Sequence, residues 1–226
     1  MGLFVSGTDT NVGKTLVAAA LLHRYRQAGL TAVGMKPVAA GCVTVAGRRI
    51  NEDVAALAAA SSGEPPAELT NPYLFQPAIA PHIAAAEAGV SIDLAHIEAC
   101  YRLLCAQAEV VIVEGAGGFL VPLGDAIDGG DLAQRLGLPV LLVVGMRLGC
   151  LSHALLTAEA ISSRGLVLAG WIANCVTAQM PHLEQNLDTL RRRLPAPLLG
   201  VLPFLPDPEA LRLAAYLELP LAGEGP

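Results

Sequence analysis

Long apolar runs are what this chain of 226 residues most clearly lacks, although 54% of it is hydrophobic and only 15% charged. Gly, Pro or a charge breaks every such run well before the roughly 18 residues a membrane-spanning helix needs. The expectation is a soluble chain with no membrane partner. Met1-Gly2-Leu3 runs straight into an apolar strand with neither a basic region nor a cleavage site, so the reading is a cytoplasmic protein that is not exported. The five cysteines, at 42, 100, 105, 150 and 175, are odd in number and form no CxxC pair and no Cys/His spacing suited to zinc. They read as reduced thiols. Positive charge is scarce as well: 14 Lys and Arg stand against 20 Asp and Glu, a formal net charge of -6. The one basic run, Arg191-Arg192-Arg193, reads as a solvated helix end, and no nucleic-acid footprint is present. Repeats, heptads and low-complexity segments are absent too.

What is present is an alternation of short apolar strands with helical segments. Strands are expected at Leu3 to Ser6, Ala32 to Met35, Val110 to Val113, Val140 to Val144, Val167 to Ile172 and Leu198 to Leu202. Helices are expected at Lys14 to Gln27, Asp53 to Ala60, Leu94 to Ala106, Asp131 to Arg135, Ser152 to Arg164, Pro181 to Arg193 and Pro208 to Leu217. Near-continuous apolar strands separated by helices predict an α/β fold, a mostly parallel sheet flanked by helices on both faces. The length leans to one domain over residues 1–226. Ser61 to Pro81, rich in proline and polar residues, reads as a surface excursion with a turn near Asn71-Pro72-Tyr73.

Ligands of such sheets collect beyond the carboxyl ends of the strands, so the strand ends carry the functional argument. The first strand runs into Gly7-Thr8-Asp9-Thr10-Asn11-Val12-Gly13-Lys14-Thr15 and then a helix. Backbone N–H groups of such a loop form an anion nest, and the helix N-terminus adds positive potential. The context is that of a nucleoside triphosphate-binding P-loop, with Lys14 reaching the outer phosphates and the Thr15 hydroxyl ligating Mg²⁺. Five residues rather than the usual four separate Gly7 from Gly13, so the loop is one residue longer than usual.

Other strand ends add charge. Lys36-Pro37-Val38 places an amine beside the loop. Asn51-Glu52-Asp53 opens a helix, where an acid is favoured by the dipole and is also available to Mg²⁺. The buried run Val111-Ile112-Val113 ends in Glu114-Gly115-Ala116-Gly117-Gly118, a Walker-B-like carboxylate followed by a flexible glycine turn. Gly145 to His153 forms a loop entering a helix whose free N–H groups suit a carboxylate, with Ser152 as an alternative N-cap. Asn174 stands where an amide can meet a nucleobase edge or cap a turn. Neither His82 nor His153 has an acid and a nucleophile around it in sequence, so the chemistry reads as phosphoryl transfer, not hydrolysis by a serine or cysteine.

Gly7 to Thr15, Lys36-Pro37-Val38, Asn51-Glu52-Asp53, Asn71-Pro72-Tyr73, Ala80-Pro81-His82, Glu114 to Gly118 and Leu148-Gly149-Cys150 together make the chain resemble the dethiobiotin synthase family, from the first strand to at least Leu205. The elongated phosphate loop belongs to that family's signature. The resemblance implies a single P-loop ligase domain that uses ATP and Mg²⁺ to close a cyclic urea on 7,8-diaminononanoate with CO₂ or bicarbonate, in biotin synthesis. It further implies that Thr15, Asp53 and Glu114 hold Mg²⁺, that Lys14 stabilises the transferring phosphoryl group, and that Lys36 is the catalytic lysine. Thr10, Asn11, Val12, Gly13, Leu16 and the turn Gly115, Ala116, Gly117 and Gly118 would surround nucleotide and diamine. Asn174, Cys175, Pro203, Phe204, Leu205 and Glu209 would line the adenine site. Members are homodimers, and Gly149, Cys150, Leu151, Ser152 and His153 would receive the substrate carboxylate across the interface. Two departures stand out: many relatives have serine or threonine where this chain has Ala40, and some have an acid at Asn11. Rival readings are an amidase-type synthase of the same superclass, for which the chain has no room for a glutaminase domain, and a partner-switched ATPase. The latter carries a second lysine early in the loop, where this chain has Thr8-Asp9-Thr10.

Overall fold

The computed structural model describes residues 1–220. The last six residues of the chain, most of the tail after Leu219 and the end of the 1–226 reading, lie outside the described residues. In chain order the elements are β1 (Gly2–Gly7), α1 (Lys14–Gln27), β2 (Ala32–Met35), β3 (Val38–Ala40), β4 (Val43–Val45), β5 (Arg48–Ile50), α2 (Glu52–Ala60), α3 (Ala67–Thr70) and β6 (Tyr73–Phe75). There follow α4 (Pro81–Glu87), α5 (Leu94–Cys105), β7 (Val110–Glu114), α6 (Gly129–Leu136), β8 (Val140–Gly145), α7 (Cys150–Ser163), β9 (Leu168–Asn174), α8 (Leu183–Arg193), β10 (Leu198–Leu202) and α9 (Ala210–Leu213), with a 3₁₀ turn at Ala214–Tyr216.

Six strands form one sheet in the order β10-β9-β8-β1-β7-β2, and every pairing is parallel. Alternation along the strands sends side chains to opposite faces. Val5, Val110, Ile112, Leu141 and Val143 pack with α1 on one face, where Ala18, Ala19 and Ala20 are small enough for neighbouring elements to approach closely. Phe4, Val111, Val113 and Val140 pack on the other face with Ile97 and Leu104 of α5 and with α6. Leu142, Val144 and Trp171 pack there with α7 and α8. Coverage on both faces is why these strands read as unbroken apolar runs.

The six expected strands are all present, and β9 runs two residues further than the sequence suggests, to Asn174. Helix limits shift more. Gly129 and Gly130 open α6 two residues early because Asp128 caps it, in a capping box closed by Asp131 at the third helical position. Residues 181–182 lie before α8, since His182 adopts a left-handed backbone, φ 58°, that an α-helix cannot contain. The expected Pro208 to Leu217 helix is only Ala210–Leu213 and the 3₁₀ turn. α7 begins at Cys150 with Gly149, φ 97°, as its N-cap, so Ser152 lies in the first turn and is not the cap. The excursion from Ser61 to Pro81 contains α3 and β6, and β6 pairs parallel with β3. No helix among the described residues is long and apolar enough to cross a membrane.

Candidate active site

β1 sits between β7 and β8, so the loop after it emerges at the middle of the sheet's carboxyl edge. Its extra residue is absorbed by two left-handed positions, Asn11 at φ 59° and Gly13 at φ 88°. Between them Val12 turns inward and is buried to 1%. Val12 fits only because its neighbours lack side chains: a Cβ on Gly7 would lie 2.6 Å from Val12 Cγ2, and one on Gly145 would lie 2.8 Å from Cγ1. Gly13 caps α1 without any side-chain bond to the helix. The first-turn N–H groups are thus left to an anion, as a phosphate cradle requires.

Lys14 is buried and donates from Nζ to the Asp9 carbonyl at 2.9 Å. Burial, and after it the positive charge of Lys36, lowers its pKa to about 8. An ammonium so poorly solvated is favoured by anionic oxygens brought close to it.

Two predicted residues meet on the Glu114 carboxylate, and a third, Asp53, joins through one of them. The Thr15 hydroxyl donates to Glu114 Oε1 at 2.8 Å, and Lys36 Nζ donates to the same oxygen and to Asp53 Oδ2 at 3.0 Å. β7, between β1 and the edge strand β2, supplies Glu114, β2 ends just before Lys36, and Asp53 lies in the first turn of α2. Glu114 is buried to 1%. Burial pushes its carboxyl above the usual range, against the pull of the Lys36 cation. Burial alone would lower Lys36, but Glu114 and then Asp53 more than offset it and hold the amine above its ordinary value. For Asp53 the opposing effect of burial is overcome by Lys36, which keeps the carboxyl low. At neutral pH the lysine is therefore a fixed cation between two acids.

Glu114 Oε2 is buried and has no hydrogen-bond partner. An orphaned carboxylate oxygen beside a threonine hydroxyl and a second acid suits a hard cation. Among the described residues no group of three or more His, Cys, Asp and Glu gathers as a protein-only metal site. Two acids and a hydroxyl match a cation that keeps water and phosphate oxygens in its shell, as Mg²⁺ does.

The rest of the predicted set is distributed around this centre. Thr10 faces the glycine turn, since a Cβ on Gly117 would stand 3.7 Å from Thr10 Oγ1, and one on Gly118 would stand 3.8 Å from the Gly7 carbonyl. Gly115 lies against the Phe4 ring, where a Cβ would come within 3.1 Å. Ala40 ends β3, and its carbonyl accepts from Asn51. Asn174 is buried, and its Nδ2 donates to the Val12 carbonyl at 2.9 Å. The Cys175 amide donates to Leu202 O at 3.0 Å. An apolar groove of about 470 Å³ runs beside α1 and takes in Leu16 and Glu209 with Thr15, Ala19, Ala56 and Leu211. Asn174, Cys175, Pro203, Phe204 and Leu205 do not line it. Gly149 to His153 form the start of α7, and among the described residues no hydrogen bond or ion pair joins them to Lys36, Asp53 or Glu114.

Two contacts of the Gly145 to His153 segment with the phosphate loop escaped the sequence reading. Arg147 pairs with Asp9 at 2.5 Å and so links the phosphate loop to the segment ahead of α7. Gly145 donates weakly from its N–H to Thr8 Oγ1 at 3.4 Å and makes room for Val12. A glycine ending an otherwise aliphatic strand was the available signal for Gly145. Nothing in the sequence pairs Asp9 with a residue 138 positions away.

Comparison with known proteins agrees with this geometry. A family model described as an AAA domain matches residues 1–211. The ATP-dependent dethiobiotin synthetase BioD of Aromatoleum aromaticum is 59% identical over 217 residues, covering 96% of each chain. That of Janthinobacterium sp. strain Marseille is 52% identical, over 95% of this chain and 93% of the relative. Among solved structures, the septum site-determining protein MinD of Pyrococcus horikoshii, complexed with Mg-ADP, superposes with a TM-score of 0.54 at 17% identity, over 91% of this chain and 83% of that one. Such distance speaks to the P-loop fold alone, whereas identity above one half along nearly the whole chain speaks to the reaction. The chain belongs to the ATP-dependent dethiobiotin synthetase family.

Proposed function

We propose that the protein, acting as one catalytic domain, uses MgATP to close a cyclic urea on 7,8-diaminononanoate with CO₂, giving dethiobiotin, ADP and phosphate. The observation that carries the reading is Lys36 Nζ, fixed between Asp53 and Glu114 while the Thr15 hydroxyl shares the Glu114 oxygen. A buried lysine cation beside a magnesium-type oxygen set suits a carbamate about to receive a phosphoryl group.

One substrate amine captures CO₂ as a carbamate. The carbamate oxygen takes the γ-phosphoryl group from ATP, and the second amine attacks the carbonyl carbon, expelling phosphate as the ring closes. Within this scheme Lys36 holds the carbamate oxygens and offsets their charge, and Lys14 balances the oxygens of the transferring group. Thr15, Asp53 and Glu114 would hold Mg²⁺, which would supply charge neutralisation at the phosphates. Thr10, Ala40 and the Gly115 to Gly118 turn flank the diamine. Asn11, Val12, Gly13 and Leu16 carry the nucleotide with Lys14 and Thr15. Cys175, Pro203, Phe204, Leu205 and Glu209 face the adenine, and Asn174 joins them through the amide valence that its bond to Val12 leaves over. A second copy of the chain receives the substrate carboxylate at Gly149, Cys150, Leu151, Ser152 and His153, which makes the working unit a homodimer; its proposed location is the cytoplasm.

Mass spectrometry of 7,8-diaminononanoate incubated with protein, MgATP and ¹³C-bicarbonate tests the reading. A labelled product heavier by one carbonyl less two hydrogens, with matching phosphate release, is expected. Phosphate release indifferent to both diamine and bicarbonate overturns it in favour of a partner-switched ATPase.

A further inference from the structure

The short path from Lys36 to Asp53 in space is a long one in sequence. β3 carries the chain away from Lys36 to Ala40, Gly41 turns with a left-handed φ of 86°, and residues 42–50 follow before α2 begins. Those residues form the hairpin of β4 and β5, whose six strand positions are all exposed. The hairpin holds to the body weakly. Among the described residues its one side-chain hydrogen bond outward is from Arg49 Nη1 to the Leu74 carbonyl, at 3.4 Å.

The base of the hairpin is different. Asn51 is a buried polar residue, and its amide is used at both ends. Oδ1 accepts from the Val54 N–H at 3.1 Å, which caps α2 one residue before its first acid. Nδ2 donates to Gly41 O at 3.1 Å and to Ala40 O at 3.3 Å. On its other side the same corner is pinned by the Gly41 amide donating to Phe75 O at 3.1 Å. One side chain therefore fastens the end of β3, the strand that begins two residues after Lys36, to the start of the helix that bears Asp53.

We infer that Asn51 is a positioning residue for the reaction: by tying the Ala40–Gly41 corner to the N-terminus of α2, it sets Asp53, and the cation that Asp53 holds, against Lys36 and the diamine wall. This inference rests on the ligase reading above. Only an amide does both tasks, since a carboxylate or hydroxyl at 51 keeps the cap but cannot hold two carbonyls. The helix start would then survive while its tether to β3 is lost.

Asn51→Asp and Asn51→Ser separate the two tasks, because both retain a capping oxygen. Hydrogen exchange of the metal-free protein is read first. In both variants amides of residues 41–53 exchange roughly tenfold faster or more, while the central strands keep wild-type protection. In the ring-closing assay both variants lose kcat about tenfold and need several-fold more Mg²⁺ for half-maximal rate, with KM for ATP at saturating Mg²⁺ nearly unchanged. Wild-type exchange at 41–53 in either variant overturns the inference. So does a loss in Asn51→Asp alone, which would mark a charge effect, or a fall in kcat matched by an equal loss of ATP binding, which would mark general damage. If the wild-type protein forms no dethiobiotin, the ligase reading fails, while the exchange experiment still decides whether Asn51 fastens the corner.

Discussion

The Asn174 side chain donates to the main-chain carbonyl of Val12 at 2.9 Å, joining the end of β9 to the phosphate loop across 162 residues of sequence. Both groups are buried, so the bond is the loop's anchor on the side away from solvent. Replacing Asn174 with Ala strands the Val12 carbonyl, which costs about 1–3 kcal/mol for an unsatisfied buried acceptor. We expect a lower denaturation midpoint with an unchanged m-value and weaker ATP binding by calorimetry. Gly13→Ala tests the same contact from the other side. Its Cβ would stand 2.2 Å from Asn174 Nδ2 at a backbone φ of 88°, and loss of nucleotide binding is expected. Native ATP affinity in both variants would remove Asn174 from the loop's architecture.

Lys36 carries the sharpest prediction. Lys36→Ala removes the cation from between Asp53 and Glu114, and ring closure should fall by orders of magnitude while ATP binding persists. The variant should also lose stability by about 3 kcal/mol, because Glu114 is left as a buried charge without its partner. Adding Glu114→Gln should restore most of that stability and none of the activity. Thermal unfolding and product formation together check this, and near-normal dethiobiotin from Lys36→Ala would take the lysine out of the mechanism.

The parallel sheet was legible because its inner strands are buried on both faces and so appear as apolar runs, Val110 to Val113 being the clearest. The phosphate loop, Lys36, Asp53 and Glu114 were legible because each follows a strand or opens a helix at one edge of that sheet. The exposed hairpin of β4 and β5 was not. Its short strands, with Ala46 and Gly47 at the turn, lack both a turn dipeptide of the strong kind and a buried face to impose alternation. The pairing of β3 with β6 was also hidden, because three-residue strands carry no period. Asn174 was read as an amide for a nucleobase because its strand-end position is visible in sequence, whereas its bond to Val12 depends on which strand lies beside β1.

Ala40 ends β3, in the wall proposed to flank the diamine, and its methyl group offers no hydrogen bond to a substrate amine. Ala40→Ser should therefore lower the Michaelis constant of the diamine and leave kcat and the constant for ATP nearly as they are. Steady-state kinetics with varied diamine decide it. An unchanged constant means that backbone groups already supply what the missing hydroxyl would, and the departure at this position is then without consequence for binding.

Asp128 and Asp131 form the capping box of α6, with Asp128 Oδ1 accepting from the Asp131 amide at 3.0 Å and Asp131 Oδ2 accepting from the Asp128 amide at 2.8 Å. Arg164, at the end of α7, reaches across to both acids, with Nη2 2.6 Å from Asp128 Oδ2 and Nη1 on Asp131. Gln134 closes the arrangement by donating from Nε2 to the Arg164 carbonyl at 3.1 Å. One guanidinium thus spans two carboxylates that are themselves held by the helix start, a fork that lysine cannot reproduce. Arg164→Met should cost about 1–2 kcal/mol, within the range for partly buried charge-assisted bonds after allowance for solvent. Arg164→Lys should recover less than half of that. Urea unfolding measures both. Because the lock lies behind the glycine turn and touches no predicted ligand, kcat should be preserved in Arg164→Met at temperatures where the protein is folded. A loss of kcat without a loss of stability would place Arg164 in the alignment of the Gly115 to Gly118 turn instead.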